Sequence, residues 1–350
     1  MERLYHLTKS KDLSLPIIER LFQKTEFYEE CLRKKVTERI AVPRDLDGVR
    51  VYIVFLEEST RTYSTFGSAA SELGAIVSGF PLAKVFSSFA KEEALKHAIQ
   101  LWSGAGISYL RLADIIVLRH FEVDADERAT RFSKVPIINA GTGGEDGDHP
   151  TQGLLDNYGF RKFLGKSDSL SIAFMGDVRF SRIVLSELPI MHLLYPDLKV
   201  YIAAPEGFGL TAKARDYLTQ NKILFEETRD GREVVNECQI CYVLRVQKNR
   251  LKDLIERGLL SGEEAARLLR QYQESRDNYA VTTELYEISE KNGTIFCHPG
   301  PISEKEQEVR PEVEHLPRVK FLQQWAYGFP MRMAILSESW ESQRKIDLAR

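Results

Sequence analysis

Cysteine is scarce in this chain. The four that occur, Cys31, Cys238, Cys241 and Cys297, are too few for a disulfide framework in 350 residues. Cys238 and Cys241 form a C-x-x-C, but no second cysteine pair accompanies it. Ile240, Tyr242, Val243 and Leu244 around it read as a buried strand, so no metal site is expected. Long apolar runs are also missing: none approaches the roughly 20 residues that a membrane-spanning helix needs. The opening residues Met1-Glu2-Arg3-Leu4-Tyr5-His6 lack the apolar core of a signal peptide, so a cytoplasmic chain with no membrane partner is expected. Excess charge is absent too. A formal net charge of -3 gives no general basic field, which argues against a nucleic-acid partner. Any anionic ligand must then be held by local arginines.

The apolar fraction of 43% and charged fraction of 28% are those of a soluble globular protein. The length allows two domains, each with its own core. Apolar runs alternate with helical periodicity through most of the chain, which predicts an α/β fold with parallel sheets. Residues 13–35 read as an amphipathic helical region that carries Leu13, Leu15, Ile18, Leu21, Phe22 and Phe27 at helical spacing with charges between. The run Val51-Tyr52-Ile53-Val54-Phe55-Leu56 then reads as a buried strand that ends at Glu57-Glu58-Ser59-Thr60-Arg61-Thr62-Tyr63-Ser64-Thr65-Phe66. A helix starting there offers unpaired backbone N–H groups, hydroxyls and one guanidinium to a single point, which suits a phosphate. Ser and Thr are equally ordinary helix caps, and the stretch alone does not choose between the two readings.

Further along, Ala75–Phe80 reads as the next strand and a helix carries Leu95, Ile99 and Trp102. Ile115–Leu118 is a strand that delivers Arg119-His120 at its C-terminal end, where open α/β sheets place ligands. Val135–Asn139 is a strand opening into a glycine-rich loop, after which His149-Pro150-Thr151-Gln152 begins a helix. Asp148 is placed to cap that helix, and His149 and Gln152, three apart, share one of its faces. In the second half, Ser171–Gly176 is a strand, Asp177 a turn, and 178–182 the start of a helix. Strands at 199–205 and 238–244 follow, the latter running into Arg245-Val246-Gln247-Lys248-Asn249-Arg250. Residues 251–275 are a charge-rich helical excursion, and Thr294–Cys297 leads into His298-Pro299-Gly300-Pro301.

Ser-Thr-Arg-Thr after a strand, apolar-Arg-His, His-Pro-Thr-Gln, Gly-Asp-x-x-x-x-Arg, Arg-Val-Gln-Lys-x-Arg and His-Pro-x-Pro occur in that order. Together they resemble the aspartate and ornithine carbamoyltransferase family over residues 40–335. The resemblance implies two doubly wound parallel-sheet domains joined by long helices. A carbamoyl-phosphate-binding domain would span 1–150, completed by a C-terminal helix at 318–350, and an amino-acid-binding domain would span 151–317. It implies transfer of a carbamoyl group from carbamoyl phosphate to an amino acid, without cofactor or metal. Arg61, Thr62, Arg119, His149 and Gln152 would be the catalytic residues. Ser59 and Thr60 would bind phosphate together with Lys91, donated across a homotrimer interface into a shared active site. Arg182 would bind the α-carboxylate, Arg245 and Gln247 the acceptor side chain, and the Pro299 and Gly300 carbonyls the carbamoyl nitrogen, with a cis bond before Pro301. Arg245 suits a carboxylate and would repel an ammonium, so the acceptor implied is L-aspartate and the pathway pyrimidine biosynthesis. Whether a regulatory subunit attaches is not written in the residues.

Several positions depart from the family pattern. Glu58 stands for proline or alanine, Tyr63 for arginine, Gly67 for glutamate, Glu92 for glycine and Ile302 for arginine, and Trp325 and Tyr327 interrupt a polar segment. Residues 101–112 are longer than the family needs. A transferase for another acceptor and a non-catalytic anion-binding relative therefore remain alternatives to the aspartate reading.

Overall fold

The computed structural model describes residues 4–82, 94–106, 110–143, 146–256 and 258–348. The chain divides into two compact units. The first takes 1–143, 147–155 and 326–350, and the second takes 144–146 and 156–325. The division falls inside the helix Pro150–Leu164.

The first unit is built on a four-stranded parallel sheet. Its strands β1 (Arg50–Phe55), β2 (Ile76–Phe80), β3 (Ile115–His120) and β4 (Ile137–Thr142) lie in the order β2-β1-β3-β4. Strands β3 and β4 are buried at every position, as a sheet covered on both faces requires. Val54, Leu56, Ile99, Trp102, Ile116 and Leu118 share one core cluster. The chain enters the sheet early. Leu7 pairs in parallel with Ile138, donating to the Ile137 carbonyl and accepting from the Asn139 N–H at 2.9 and 2.7 Å. The helices Leu15–Glu38 and Gly328–Leu348 pack against each other, and the second also packs on the helix Thr60–Glu72.

The second unit holds β5 (Ser169–Gly176), β6 (Asp197–Ala203), β7 (Leu224–Thr228), β8 (Ile240–Leu244) and β9 (Ile295–Cys297). They form a five-stranded parallel sheet in the order β7-β6-β5-β8-β9. Its core gathers Ala173, Met175, Cys238, Cys241, Val243, Val281 and Phe296. Cys238, Cys241 and Cys297 are buried free thiols, and burial pushes all three well up. Among the described residues no group of His, Cys, Asp and Glu could hold a metal, and no helix is long and apolar enough to cross a membrane.

Four local expectations are corrected. The helix expected from 178 starts at Ile183, because Asp177 and the following residues turn first. Strand β4 starts at Ile137, not Val135, and continues through Thr142, where a loop was expected. The excursion at 251–275 is two helices, Lys248–Glu256 and Gly262–Ser275. The second is not purely a surface element, since it buries Ala265, Leu268 and Tyr272. Strand β7 was not anticipated. It is a partly exposed edge strand with two glutamates in five residues, so it carries neither an apolar run nor a clean alternation.

Candidate active site

Both sheets are wound outward from a central pair of strands. In the first, β1 connects toward β2 and β3 toward β4, so the loops after β1 and β3 diverge. In the second, β5 connects toward β6 and β8 toward β9, so the loops after β5 and β8 diverge. Such switch points leave a crevice at the carboxyl ends of the strands, where α/β proteins bind ligands. Glu57–Thr62 and Arg119 lie at the carboxyl ends of β1 and β3, and Asp177–Arg182 and Arg245–Gln247 at those of β5 and β8.

In the first unit Ser59 is the N-cap of the helix Thr60–Glu72, with extended φ and no side-chain cap bond. Thr60 and Arg61 are exposed while Thr62 is buried, so the first turn shows both backbone and guanidinium. Arg119, opposite Phe55 on β3, is nearly buried. One guanidinium nitrogen lies 2.8 Å from the Glu57 carboxylate, and another donates to the Ala140 carbonyl at 3.1 Å. Glu57 therefore fixes the side chain that the resemblance assigns to the carbamoyl oxygen.

His149 and Gln152 are both buried at the start of the helix Pro150–Leu164, and the His149 Nδ1 lies 3.2 Å from the Thr151 hydroxyl. Asp148, expected as a cap, turns its carboxylate to Ser10. Its two oxygens accept from the Ser10 N–H and hydroxyl, each at 2.8 Å. The Asp148 carbonyl accepts from Thr142 N–H at 2.8 Å. Asn139 donates to the Thr8 carbonyl at 2.7 Å and to Asp126 at 3.0 Å, and Lys9 reaches the same carboxylate at 3.1 Å. Burial raises the Asp126 carboxyl to about 6 against the pull of Lys9. The N-terminal segment is thus wired to the residue that precedes His149, a link that no spacing in the sequence signals.

In the second unit Asp177 is the organising group. It is fully buried, and its two carboxylate oxygens accept the Phe180 N–H at 2.9 Å and the Gln247 N–H at 2.7 Å. One side chain thereby ties the turn carrying Arg182 to the loop carrying Arg245. Burial raises its carboxyl to about 7, opposed by those two hydrogen bonds and by Arg250 and Arg179. Arg250 also donates to the Phe180 carbonyl. Arg182 is buried at the N-cap of the helix Ile183–Leu194. Arg245 is half-buried, and its Nε is covered with no hydrogen-bond partner among the described residues. Gln247 donates from its amide to the Arg245 carbonyl at 3.2 Å, which orients the loop. Pro299 and Gly300 are half-buried and the Gly300–Pro301 bond is cis. Lys91 lies outside the described residues.

The departures from the family pattern have separate accounts. Tyr63 turns its ring edge-to-face onto Phe55, with centroids 5.4 Å apart, and so serves the core. Ile302 packs against the apolar core of the second unit. Trp325 donates its indole N–H to the His298 carbonyl at 2.6 Å. A Cβ on Gly67 would meet nothing within 4 Å. Glu58 is exposed just before the N-terminus of the helix Thr60–Glu72, and nothing in the structure explains it.

Two family models match the chain. The carbamoyl-P binding domain of aspartate/ornithine carbamoyltransferase covers residues 5–162, and the Asp/Orn binding domain covers residues 168–338. The aspartate carbamoyltransferase catalytic subunit of Archaeoglobus fulgidus is 34% identical over 335 residues, covering 95% of this chain and 98% of that protein. The chloroplastic enzyme of Arabidopsis thaliana is 33% identical over 303 residues, covering 87% and 70%. Among solved structures, the catalytic subunit of M. jannaschii aspartate transcarbamoylase superposes with a TM-score of 0.78 at 32% identity, covering 97% and 98%. The Trypanosoma cruzi enzyme in complex with N-(phosphonacetyl)-L-aspartic acid gives 0.80 at 26% identity, covering 96% of each chain.

Proposed function

The chain belongs to the aspartate/ornithine carbamoyltransferase family, and we propose that it performs the aspartate branch of that chemistry. The α-amino group of L-aspartate attacks the carbonyl carbon of carbamoyl phosphate. A C–N bond forms, the C–O bond to phosphate breaks, and N-carbamoyl-L-aspartate and phosphate leave. The observation that carries this reading is Arg245, a guanidinium at the carboxyl end of β8 whose covered Nε has no hydrogen-bond partner among the described residues. A carboxylate satisfies it, whereas an acceptor ending in an ammonium would be repelled.

The proposed roles follow from charge and position. The Thr60 helix N-terminus, with Ser59, Arg61 and Thr62, binds the phosphate. Thr62, Arg119 and His149 meet the carbamoyl oxygen as it gains charge. Gln152 and the Pro299 and Gly300 carbonyls hold the nitrogen, and Arg182, Arg245 and Gln247 hold aspartate. Catalysis then consists of orientation plus positive charge directed at the developing oxyanion and the leaving phosphate. The reaction so written calls for no cofactor. The proposal extends to a cytoplasmic homotrimer in which Lys91 completes the phosphate site of a neighbouring subunit.

Carbamoyl transfer measured over a panel of amino acids tests the acceptor. Turnover is expected with aspartate, and turnover with ornithine alone would overturn the reading. Mixing Lys91→Ala with His149→Ala chains tests the shared site. Activity absent from both parents should return after subunit exchange, and its absence would reject donation of Lys91.

A further inference from the structure

Behind the His298-Pro299-Gly300 turn runs a buried polar chain to which the mechanism above gives no task. Asp156, Tyr242, Gln324 and His298 are all fully buried. The Asp156 carboxylate accepts from the Gln324 amide at 2.6 Å through one oxygen and from the Tyr242 hydroxyl through the other. The same Gln324 nitrogen lies 3.1 Å from the Tyr242 oxygen, so its two hydrogens have two acceptors. That leaves the Gln324 Oε1 to accept the His298 backbone N–H at 3.0 Å. A flipped amide would set oxygen against carboxylate and N–H₂ against N–H, so the orientation is determined by its partners.

The chain reaches the turn through His298. The His298 Nδ1 accepts the Gly300 N–H at 2.7 Å, which puts the ring proton of a neutral imidazole on Nε2. The Trp325 indole takes the His298 carbonyl at 2.6 Å. Gly300 sits at φ +69°, a region open to glycine at little cost. Three main-chain groups of the turn are thus held, two by Gln324 and Trp325 of the helix Phe321–Ala326 and one by the ring of His298 itself. With those groups fixed, the direction of the Pro299 carbonyl, which shares its peptide plane with the Gly300 N–H, is fixed as well.

Resting on the proposed carbamoyl transfer, we infer that Asp156, Tyr242, Gln324 and Trp325 are positioning residues for the carbamoyl nitrogen. Acting through His298, they aim the Pro299 carbonyl at the NH₂ group and so make the enzyme prefer a carbamoyl donor to an acyl donor that lacks it. A chain that only filled a polar hole in the core would carry no such preference.

Acetyl phosphate, with a methyl group in place of the NH₂, is the probe. In the wild type, carbamoyl phosphate should bind more tightly than acetyl phosphate, which is measured as a competitive inhibitor. Trp325→Phe and Tyr242→Phe each remove one donor and retain a ring. Each should cut that preference about five- to tenfold, the worth of one hydrogen bond. The KM for aspartate and the inhibition by inorganic phosphate should stay within twofold. Equal weakening of both donors, or a changed aspartate KM with the preference intact, would overturn the inference. Thermal unfolding of each variant shows whether it folds, and the two variants test the same claim through different elements. A wild type with no carbamoyl transfer would instead sink the functional reading beneath it.

Discussion

The two switch-point crevices hold their cations in different ways. In the first unit Arg119 is gripped directly, by Glu57 at 2.8 Å and by the Ala140 carbonyl. Beside it the proposed phosphate site is a helix terminus whose donors come with the fold. In the second unit the carboxylate lies under the main chain instead. Asp177 holds the Phe180 and Gln247 amides, and Arg245 keeps a covered Nε without a hydrogen-bond partner among the described residues. The first crevice thus presents preorganised donors for a compact anion. The second presents a guanidinium whose loop depends on one buried acid. Damage to the first should appear in turnover, and damage to the second in acceptor binding.

The largest expected effect is on the first side. Arg61→Ala should lower kcat by more than a thousandfold, and His149→Ala by about a hundredfold to a thousandfold, the usual cost of one oxyanion donor. Circular dichroism should report an unchanged fold. Near-normal turnover in purified His149→Ala would remove that residue from the mechanism. On the second side, Arg245→Ala should raise the aspartate KM about a hundredfold, as expected when a paired carboxylate loses its partner. Carbamoyl phosphate binding, followed by calorimetry, should not change, and a matching loss there would erase the distinction between the crevices.

Asp177→Asn should have a smaller effect, about tenfold on the aspartate KM, the order of one charge-assisted hydrogen bond. Its pH dependence is the sharper readout. With the folded carboxyl at about 7, above an ordinary carboxylate, the native state binds the proton more tightly than the unfolded chain. The group's contribution to stability is therefore fully present below about pH 4 and lost as pH rises through about 7. Asp177→Asn should flatten that decline in urea-unfolding curves measured from pH 4 to 8. An unchanged slope would mean that Asp177 stays ionised throughout. Smallest is Gly67→Ala, inside the helix Thr60–Glu72 with open space around a new Cβ. It should stabilise the chain by about 0.5–1 kcal/mol, read from the urea midpoint, with kinetic constants unchanged.

Much of the design was legible in local pattern. Apolar runs marked most strands, because strands buried on both faces read as continuous hydrophobic stretches. Ser59–Thr62, Arg119 and Arg245 stood at strand ends in the sequence, and the ends of parallel strands are where ligands sit. Strand β7 escaped because an exposed edge strand needs neither a long apolar run nor strict alternation. The 178–182 turn reads as helix in the sequence because the reach of Asp177 to Gln247, 70 residues later, leaves no local trace.

The amino-acid sequence by itself determined the alternating elements, the arginines available to anions and the order of the motifs. All of these depend on residue type and short spacing. Tertiary structure decided which strands flank each crevice, that Glu57 holds Arg119 and that Asp177 joins two loops. It also decided that Tyr63 faces the core and that Trp325 reaches the His298 carbonyl. These are pairings across the fold, and their energy exists only once burial has removed water and brought distant segments together.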